Sequence, residues 1–395
     1  MGDLILKPGR EKPVQRRHPW VFSGAIGEVR GQPGDGETVE IYAAAGDFLG
    51  RGAYSPKSQI RARIWTWDQA EAIDRPFFRT RLEQAISARV GNIDFSKTNA
   101  YRLVHAESDG LPGIVVDRYN DLLVVQFLSS GADHWRTTLT DLLLEITGIK
   151  TIFERSDVEV RALEGLPART GLLCGELKAE NTEILENGLK YWVDIIHGQK
   201  TGFYLDQRPN RALVRGYAGR KSILNCFAYT GGFTVAALAG GAKEVVSVET
   251  SLEAIALGKA NLALNQMADG PAVWLQEDVF SALRGFRDQG RSFDLVILDP
   301  PKFAPTKAHV QRAARGYKDI NLLAFKLLRP GGMLVTCSCS GGLDAALFQK
   351  IIADAALDAG VQAQILALLG PGSDHPVALN FPEGAYLTGL VCRVA

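Results

Sequence analysis

The chain lacks an excess of charge of either sign, because 44 basic and 44 acidic side chains give a formal net charge of zero. A neutral chain has no global field that attracts nucleic acid, so any RNA binding must use a local basic patch. No apolar run approaches the roughly 18 residues of a membrane span, and the N-terminus lacks the apolar core of a signal peptide. We therefore expect a cytoplasmic protein without a membrane partner.

Cysteine is scarce as well. The five cysteines are odd in number and show no metal-ligand spacing. Cys337 and Cys339 are separated by a single residue, which is too close for a CxxC motif. We expect reduced thiols and no metal site.

Residues 1 to about 70 are short strand-like segments broken by glycine and proline. Arg61 and Arg63 alternate with apolar neighbours, which predicts a half-buried strand in a small β-barrel. The basic residues of this region cluster next to Trp20 and Phe22; they are Lys7, Arg10, Lys12, Arg16, Arg17 and His18. Such a cluster suits RNA phosphates and bases. The alternative is a solvated basic loop whose two aromatic rings plug the barrel.

The middle of the chain predicts a compact α+β unit that ends around residue 185. Its expected elements are a helix over 76–90, a hairpin turning at residues 119–121, a helix near 132–147, and strands near 150–154 and 172–177. No chemistry stands out here, so we expect this unit to act as a spacer or to frame the substrate.

From about residue 190 the pattern changes to alternating strands and helices. Strands are predicted at 222–227, 244–249, 272–278, 293–299 and 332–338, with helices at 232–239, 251–266 and 311–328. This alternation predicts an α/β fold with a mostly parallel, doubly wound sheet. Two last strands, 362–368 and 386–394, have no helix between them and predict the antiparallel edge of class I methyltransferases. The expected domains are 1–72, 73–187 and 188–395.

The turn after the first of these strands contains Gly231 and Gly232 but is not a GxGxxG motif. The turn has no third glycine to seat the pyrophosphate of a dinucleotide at the start of the helix. S-adenosylmethionine carries no phosphate and does not need that glycine. Glu249 ends the second strand and suits the ribose hydroxyls, and Asp278 ends the third and suits the adenine amino group. Either acid alone is more often a helix N-cap. The polar segment 197–208 precedes the sheet and reads alternatively as a helix entry capped by Asp206.

The segment from Asp299 to Lys302 reads Asp-Pro-Pro-Lys and closes an apolar strand. Neither proline has an N–H, so the turn is rigid and poor in donors. An acid held there can hydrogen-bond the ring nitrogen of a base, although it could also cap the next helix. The turn resembles that of amino-nitrogen methylases, which place an aromatic residue where this chain has Lys302.

The next strand ends in Thr-Cys-Ser-Cys-Ser. Carbon 5 of a pyrimidine becomes nucleophilic when a thiolate adds to C6. Cys337 and Cys339 point the same way on a strand, so periodicity does not choose between them. A buried structural cysteine is the usual role of a thiol in a sheet. However, the end of this strand lies opposite Asp299, which indicates that one of the two cysteines is a nucleophile.

Six motifs together resemble the RlmI-type 23S ribosomal RNA cytosine-5 methyltransferases over the whole chain. They are HPWVFSGAI (18–26), GLPGIVVDRY (110–119), KTGFYLDQR (200–208), NCFAYTGGF (225–233), LDPPKF (298–303) and SCSGG (338–342). The resemblance implies a small β-barrel PUA-like domain, a central α+β domain and a Rossmann-like class I methyltransferase domain with a seven-stranded sheet. It also implies S-adenosylmethionine as cofactor and 23S ribosomal RNA as partner.

The resemblance further implies that Cys339 is the nucleophile and that Asp299 orients the cytosine. Other RNA cytosine-5 methyltransferases carry a second cysteine after the Asp-Pro turn, where this chain has Lys302 and Phe303, so the base that removes the C5 proton is left unassigned. The implied cofactor residues are Lys200, Phe203, Gln207, Phe227, Tyr229, Thr230, Gly231, Glu249, Asp278 and Asp299. From the basic cluster and the Asp-Pro-Pro-Lys turn, the expected RNA contacts are Lys7, Arg10, Arg16, Arg17 and Lys302.

Three other functions compete with this interpretation. A guanine N-methyltransferase acting on ribosomal RNA would use the Asp-Pro-Pro-Lys turn without a cysteine. A non-catalytic RNA-binding module would keep the fold alone, and a nicotinamide oxidoreductase is disfavoured by the missing glycines. The target nucleotide and the oligomeric state stay open, with a homodimer as one hypothesis.

Overall fold

A computed structural model describes residues 2–267, 271–303 and 310–395. The chain divides into two compact units. The first comprises Met1–Ile184, Val193–Leu205 and Ser373–Gly384, and the second comprises Leu185–Trp192, Asp206–Gly372 and Ala385–Ala395. The three-domain division expected from the sequence stays a prediction. In the ranges that the structure describes, no helix is both long and apolar enough to cross a membrane.

The first unit begins with a six-stranded sheet in the order β2-β6-β5-β4-β1-β3. Its elements are β1 (Gly2–Leu6), α1 (Lys12–Gln15), β2 (Trp20–Phe22), β3 (Ile26–Arg30), β4 (Thr38–Tyr42), β5 (Phe48–Tyr54) and β6 (Ile60–Thr66). Leu4, Ile41 and Ile64 form part of its core. Arg63 on β6 is buried, and its guanidinium lies 2.8 Å from the carboxylate of Glu164, which compensates the buried charge.

The same unit contains a five-stranded sheet in the order β11-β10-β9-β8-β7. Its elements are α2 (Arg75–Ser87), β7 (Ala100–His105), β8 (Ile114–Tyr119), β9 (Leu122–Phe127), α3 (Ser130–His134), α4 (Arg136–Thr147), β10 (Thr151–Ser156), α5 (Val160–Leu163) and β11 (Arg169–Cys174). The expected hairpin joins β8 to β9, with Asn120 at a φ of 59°. A two-stranded sheet follows, made of β12 (Asn181–Glu186) and β13 (Leu189–Asp194).

The second unit is built on a seven-stranded sheet in the order β16-β15-β14-β17-β18-β20-β19. Its strands are β14 (Ser222–Cys226), β15 (Glu244–Glu249), β16 (Ala272–Gln276), β17 (Phe293–Leu298), β18 (Leu328–Ser338), β19 (Ala363–Leu369) and β20 (Thr388–Val394). Its helices are α6 (Arg208–Tyr217), α7 (Gly232–Ala239), α8 (Leu252–Leu264), α9 (Val279–Asp288), α10 (Val310–Leu327) and α11 (Ala345–Ala359). β14 to β18 pair in parallel, and β20 is antiparallel to both its neighbours, which confirms the predicted sheet.

Helices cover both faces of this sheet because its strands alternate buried apolar residues between them. Leu224 and Val296 belong to the core under α9, α10 and α11. Ile223 and Leu295 belong to the core under α6 and α7. In the ladder, Cys226 pairs with Leu298, and Leu298 pairs with Thr336. The segments that follow β14, β17 and β18 therefore leave the sheet side by side at its carboxyl edge, where such folds keep their sites.

Candidate active site

The turn after β14 is a tight, strained connection. Phe227 and Tyr229 have φ values of 58° and 47°, and Gly231 has a φ of 77°. A Cβ at Gly231 would lie 3.0 Å from the ring of Trp274, so this position needs glycine for its conformation and for its space. The Tyr229 N–H donates to Glu249 Oε2 at 2.8 Å, which ties the turn to the end of β15.

The carboxylate of Glu249 organises the end of its strand. Its other oxygen, Oε1, accepts the backbone N–H groups of Thr250 at 2.8 Å and Ser251 at 3.0 Å. The side chain is thus held at the sheet edge with its direction fixed by three amides. Its predicted contact with ribose hydroxyls stays a prediction.

Thr230 and Asp278 differ in how the protein uses them. The Thr230 side chain is buried, and within the described ranges its Oγ1 has no hydrogen-bond partner. Because leaving a buried hydroxyl unpaired costs about 1–3 kcal/mol, this atom fits a polar group supplied by a ligand. Asp278 is exposed and accepts the Ser281 N–H at 3.1 Å as the N-cap of α9, the role that its residue type favours.

A buried amide orients Asp299. Gln207 Nε2 donates to Asp299 Oδ1 at 2.8 Å, and Gln207 Oε1 accepts Asn210 Nδ2 at 2.5 Å. Asn210 also donates to the carbonyl of Gly370 at 3.1 Å. Gln207, not Asp206, is the N-cap residue of α6, and Asp206 accepts the Tyr386 hydroxyl at 2.7 Å. The alternative interpretation of Asp206 as the cap of this helix is therefore wrong.

The other two residues expected at the methionine end of the cofactor, Lys200 and Phe203, lie in the first unit. Lys200 Nζ is 4.6 Å from the ring centre of Tyr204. The Phe203 N–H donates to the Tyr119 hydroxyl at 3.2 Å, and the Phe203 side chain is buried. Their cofactor roles stay predictions.

Cys337 and Cys339 have different environments. Cys337 lies within β18 opposite Gly389, is 1% exposed, and has its thiol pKa raised well above the ordinary value by burial and then by nearby Asp299. Cys339 follows the strand, is half-buried, and places Sγ 3.8 Å from the carbonyl oxygen of Pro300. A thiol must reach its substrate and ionise to act as a nucleophile, so the geometry favours Cys339 over Cys337.

Sequence reasoning did not single out Tyr317 or the serines on either side of Cys339. Tyr317 is fully buried on α10, and its hydroxyl accepts a hydrogen bond from Ser338 at 2.9 Å and lies 3.1 Å from Ser340 Oγ. In the sequence, Tyr317 and Ile320 have the spacing of an apolar helix face, which indicates core and no chemistry. No sequence signal marked this contact in advance.

The residues expected to bind RNA are all exposed. Lys7, Arg10, Arg16 and Arg17 lie between β1 and β2, where the Arg17 guanidinium is 5.6 Å from the ring of Trp67. Lys302 follows the Asp-Pro-Pro turn in the second unit. Their exposure leaves the cations accessible to phosphates, and their RNA contacts stay predictions.

The two thiol environments predict selective alkylation. At about pH 8, iodoacetamide is expected to modify Cys339 in the folded protein, because the thiolate is the reactive form and Cys339 is accessible. Cys337 and Cys392 are expected to stay unmodified, since both are buried and burial also raises the Cys392 pKa to about 11. Peptide mass spectrometry checks this, with denatured protein as the control in which all five cysteines react. Modification of Cys337 as fast as Cys339 would contradict the assignment.

Comparisons with known proteins define the class of the chain. The model of a family described as S-adenosylmethionine-dependent methyltransferase matches residues 167–359. A PUA-like domain model matches residues 4–67. The glycine turn, the anchored Glu249 and the Thr230 hydroxyl, which has no partner among the described residues, fit that cofactor. The protein is an S-adenosylmethionine-dependent methyltransferase with an N-terminal PUA-like domain.

Curated relatives are similar over nearly the full length. Ribosomal RNA large subunit methyltransferase I of Shewanella amazonensis is 53% identical over 391 residues, covering 99% of each chain. The protein of the same name from Aeromonas hydrophila is 54% identical over 393 residues, again covering 99% of each chain. The chain belongs to the ribosomal RNA large subunit methyltransferase I family, which confirms the resemblance seen in the sequence.

Solved structures support the fold. A Streptococcus mutans chain described as a SAM-dependent methyltransferase matches with a TM-score of 0.85 at 24% identity, covering 100% of both chains. A methyltransferase structure in complex with SAH matches with a TM-score of 0.87 at 24% identity, also covering 100% of both. At this identity the likeness shows a shared fold.

Proposed function

We propose that the protein methylates C5 of a cytosine in 23S ribosomal RNA and that Cys339 forms a transient covalent bond with C6 of that base. The observation that carries the proposal is the half-buried Cys339 thiol beside the Asp-Pro-Pro turn, 3.8 Å from Pro300. The names of the curated relatives support ribosomal RNA as the substrate. The buried Cys337 next to it serves packing.

In the proposed reaction, the Cys339 thiolate attacks C6 and the electron pair of the C5–C6 double bond moves toward C5. The Asp299 carboxyl group, oriented by Gln207, donates a proton to the ring nitrogen as negative charge moves there and takes that proton back when the double bond is restored. S-adenosylmethionine, when bound, would supply the electrophilic methyl group and leave as S-adenosylhomocysteine. C5 takes the methyl group and then loses its proton to a base. The pair released from that C–H bond restores the double bond and expels the Cys339 thiolate.

The remaining residues of the proposed site bind its two ligands. Glu249 accepts the hydrogen bonds of the ribose hydroxyls, Asp278 accepts that of the adenine amino group, and Thr230 offers a hydroxyl that has no partner in the described part of the chain. The proposed cofactor set also includes Lys200, Phe203, Gln207, Phe227, Tyr229 and Gly231. Exposed basic side chains bind the phosphates of ribosomal RNA; these are Lys7, Arg10, Arg16, Arg17 and Lys302. Local cations supply the phosphate contacts that a chain of zero net charge does not provide globally.

Nucleoside analysis of ribosomal RNA tests this function. We expect one 5-methylcytidine to disappear from 23S RNA when the gene is deleted and to return when it is restored. Mass mapping of RNase fragments gives its position. Loss of an N-methylguanosine instead would support the guanine alternative, and an unchanged nucleoside profile would support a non-catalytic RNA-binding module.

A further inference from the structure

Tyr317 lies on helix α10 and contacts the end of β18, the segment that carries Cys339. It lies within α10, has no exposed surface, and packs its ring 4.8 Å from Phe303 and 5.7 Å from Phe348. Phe303 follows the Asp-Pro-Pro-Lys turn in the chain. The ring of Tyr317 therefore fills the core under this turn and brings its hydroxyl to the end of β18.

The hydroxyl closes a small hydrogen-bonded ring with two serines. Ser338 Oγ donates to Tyr317 Oη at 2.9 Å, and Tyr317 Oη is 3.1 Å from Ser340 Oγ. The Ser340 N–H donates back to Ser338 Oγ at 3.3 Å. Because Ser338 uses its proton on Tyr317, the tyrosine proton is available for Ser340. Ser338 and Ser340 are both buried, so these bonds are shielded from water.

The two serines flank Cys339. β18 pairs with β20 as far as Ser338, so the sheet ladder does not hold the residues that come after it. The Tyr317 hydroxyl joins Ser338, the last residue of the ladder, and Ser340, the residue after Cys339, to helix α10. Burial raises the pKa of the Tyr317 hydroxyl, although the hydrogen bonds with Ser338 and Ser340 act in the opposite direction. The group therefore stays a neutral hydrogen-bonding phenol through the physiological range and does not act as a base.

We infer that Tyr317 is a positioning residue that fixes the direction of the Cys339 thiol through Ser338 and Ser340. This inference rests on the proposed function, in which Cys339 is the nucleophile. A thiol that must meet C6 within a narrow range of distance and angle loses rate when its backbone becomes mobile. Tyr317 touches neither reacting atom in this scheme and acts through the backbone.

Tyr317→Phe removes the hydroxyl and keeps the ring that packs on Phe303 and Phe348. We expect single-turnover methylation to fall at least about tenfold with unchanged S-adenosylmethionine affinity. Alkylation of Cys339 by iodoacetamide is expected to stay equal or become faster, since a small reagent needs access and no single geometry. A role in thiol chemistry itself would slow both reactions. Tyr217→Phe on α6 makes the same change away from these serines and is expected to stay within about twofold.

Hydrogen–deuterium exchange on RNA-free protein separates this inference from the proposed function. In Tyr317→Phe, the peptide spanning 337–343 is expected to exchange about tenfold faster, while peptides from β14 exchange as before. Unchanged exchange there together with unchanged methylation would overturn the inference. Absence of 5-methylcytidine from the wild-type reaction would instead overturn the proposed function.

Ser340→Ala is the second variant, and it decides the matter if Tyr317→Phe does not fold. It removes one partner of the tyrosine and leaves the core ring in place. We expect the same pattern at about threefold to tenfold, and less than additive losses in the double variant, because the two groups act through one contact. Wild-type rates and exchange in Ser340→Ala, or fully additive losses in the double variant, would overturn the inference.

Discussion

Cys339→Ala is expected to lower the methylation rate at least about a thousandfold while leaving the fold and cofactor binding intact. Without the thiolate, C6 receives no nucleophile and C5 keeps the low reactivity of an aromatic carbon. Cys339 is half-buried at the end of β18, so a smaller side chain there removes little packing. Initial rates with radiolabelled methyl donor, and calorimetry with S-adenosylmethionine, give the two measurements.

Cys337→Ala is the matched control, since it makes the same chemical change two residues away. We expect its activity to stay within about threefold, with a loss of stability near 1 kcal/mol from the buried sulfur. If Cys337→Ala abolished methylation and Cys339→Ala did not, the assignment of the nucleophile would be reversed. Full activity in Cys339→Ala would end the covalent mechanism.

Asp299→Asn is expected to lower kcat/KM for RNA about a hundredfold. The substitution keeps the shape and removes the carboxyl group, whose Oδ1 accepts Gln207 Nε2 at 2.8 Å and which supplies the proton for the ring nitrogen. An amide can turn its NH₂ toward Gln207, which would repel that donor and misplace the group facing the base. The substitution thus weakens the orienting hydrogen bond and removes the proton that the ring nitrogen needs.

Asp294→Asn is the control for this prediction because Asp294 lies near the start of the same strand, away from the carboxyl edge. It accepts the Ser222 N–H and the Arg329 guanidinium, both at 2.8 Å, and its pKa is lowered although burial opposes that shift. We expect reduced stability with activity within about twofold. Activity of Asp299→Asn as high as that of Asp294→Asn would remove Asp299 from the mechanism.

The sequence predicted the strands of the second sheet well because parallel strands buried on both faces are continuous apolar runs. The segment that ends in Leu298 is such a run, and its strand was placed within one residue. Helices α9 and α11 were missed. α9 begins directly after its N-cap Asp278, a residue that the pattern assigned to the end of a strand. β12 and β13 were missed too, and α6 was anticipated only in the alternative interpretation of 197–208 as a helix entry, since polar and aromatic residues are dense there and hide the period.

The site was only partly readable from the sequence. Motif order predicted that Asp299 and the thiols meet at one edge, and the ladder between β17 and β18 brings them there. The two-residue period of a strand did not separate Cys337 from Cys339. The two thiols differ in burial, because Cys337 packs against Gly389 on β20, about fifty residues further along the chain. The role of Tyr317 could not be predicted for a related reason, since Tyr317 lies on α10 and its partners Ser338 and Ser340 lie at the end of β18.

Trapping with RNA that contains 5-fluorocytidine tests the central claim most directly. A fluorine at C5 cannot leave as a proton does, so the adduct that normally breaks down persists after methyl transfer. We predict a species with the mass of protein plus methylated RNA and a cross-linked peptide that carries the nucleotide on Cys339, formed by Cys337→Ala and not by Cys339→Ala. Methylation of natural RNA without any trapped species, or a trapped species on another residue, would contradict the account.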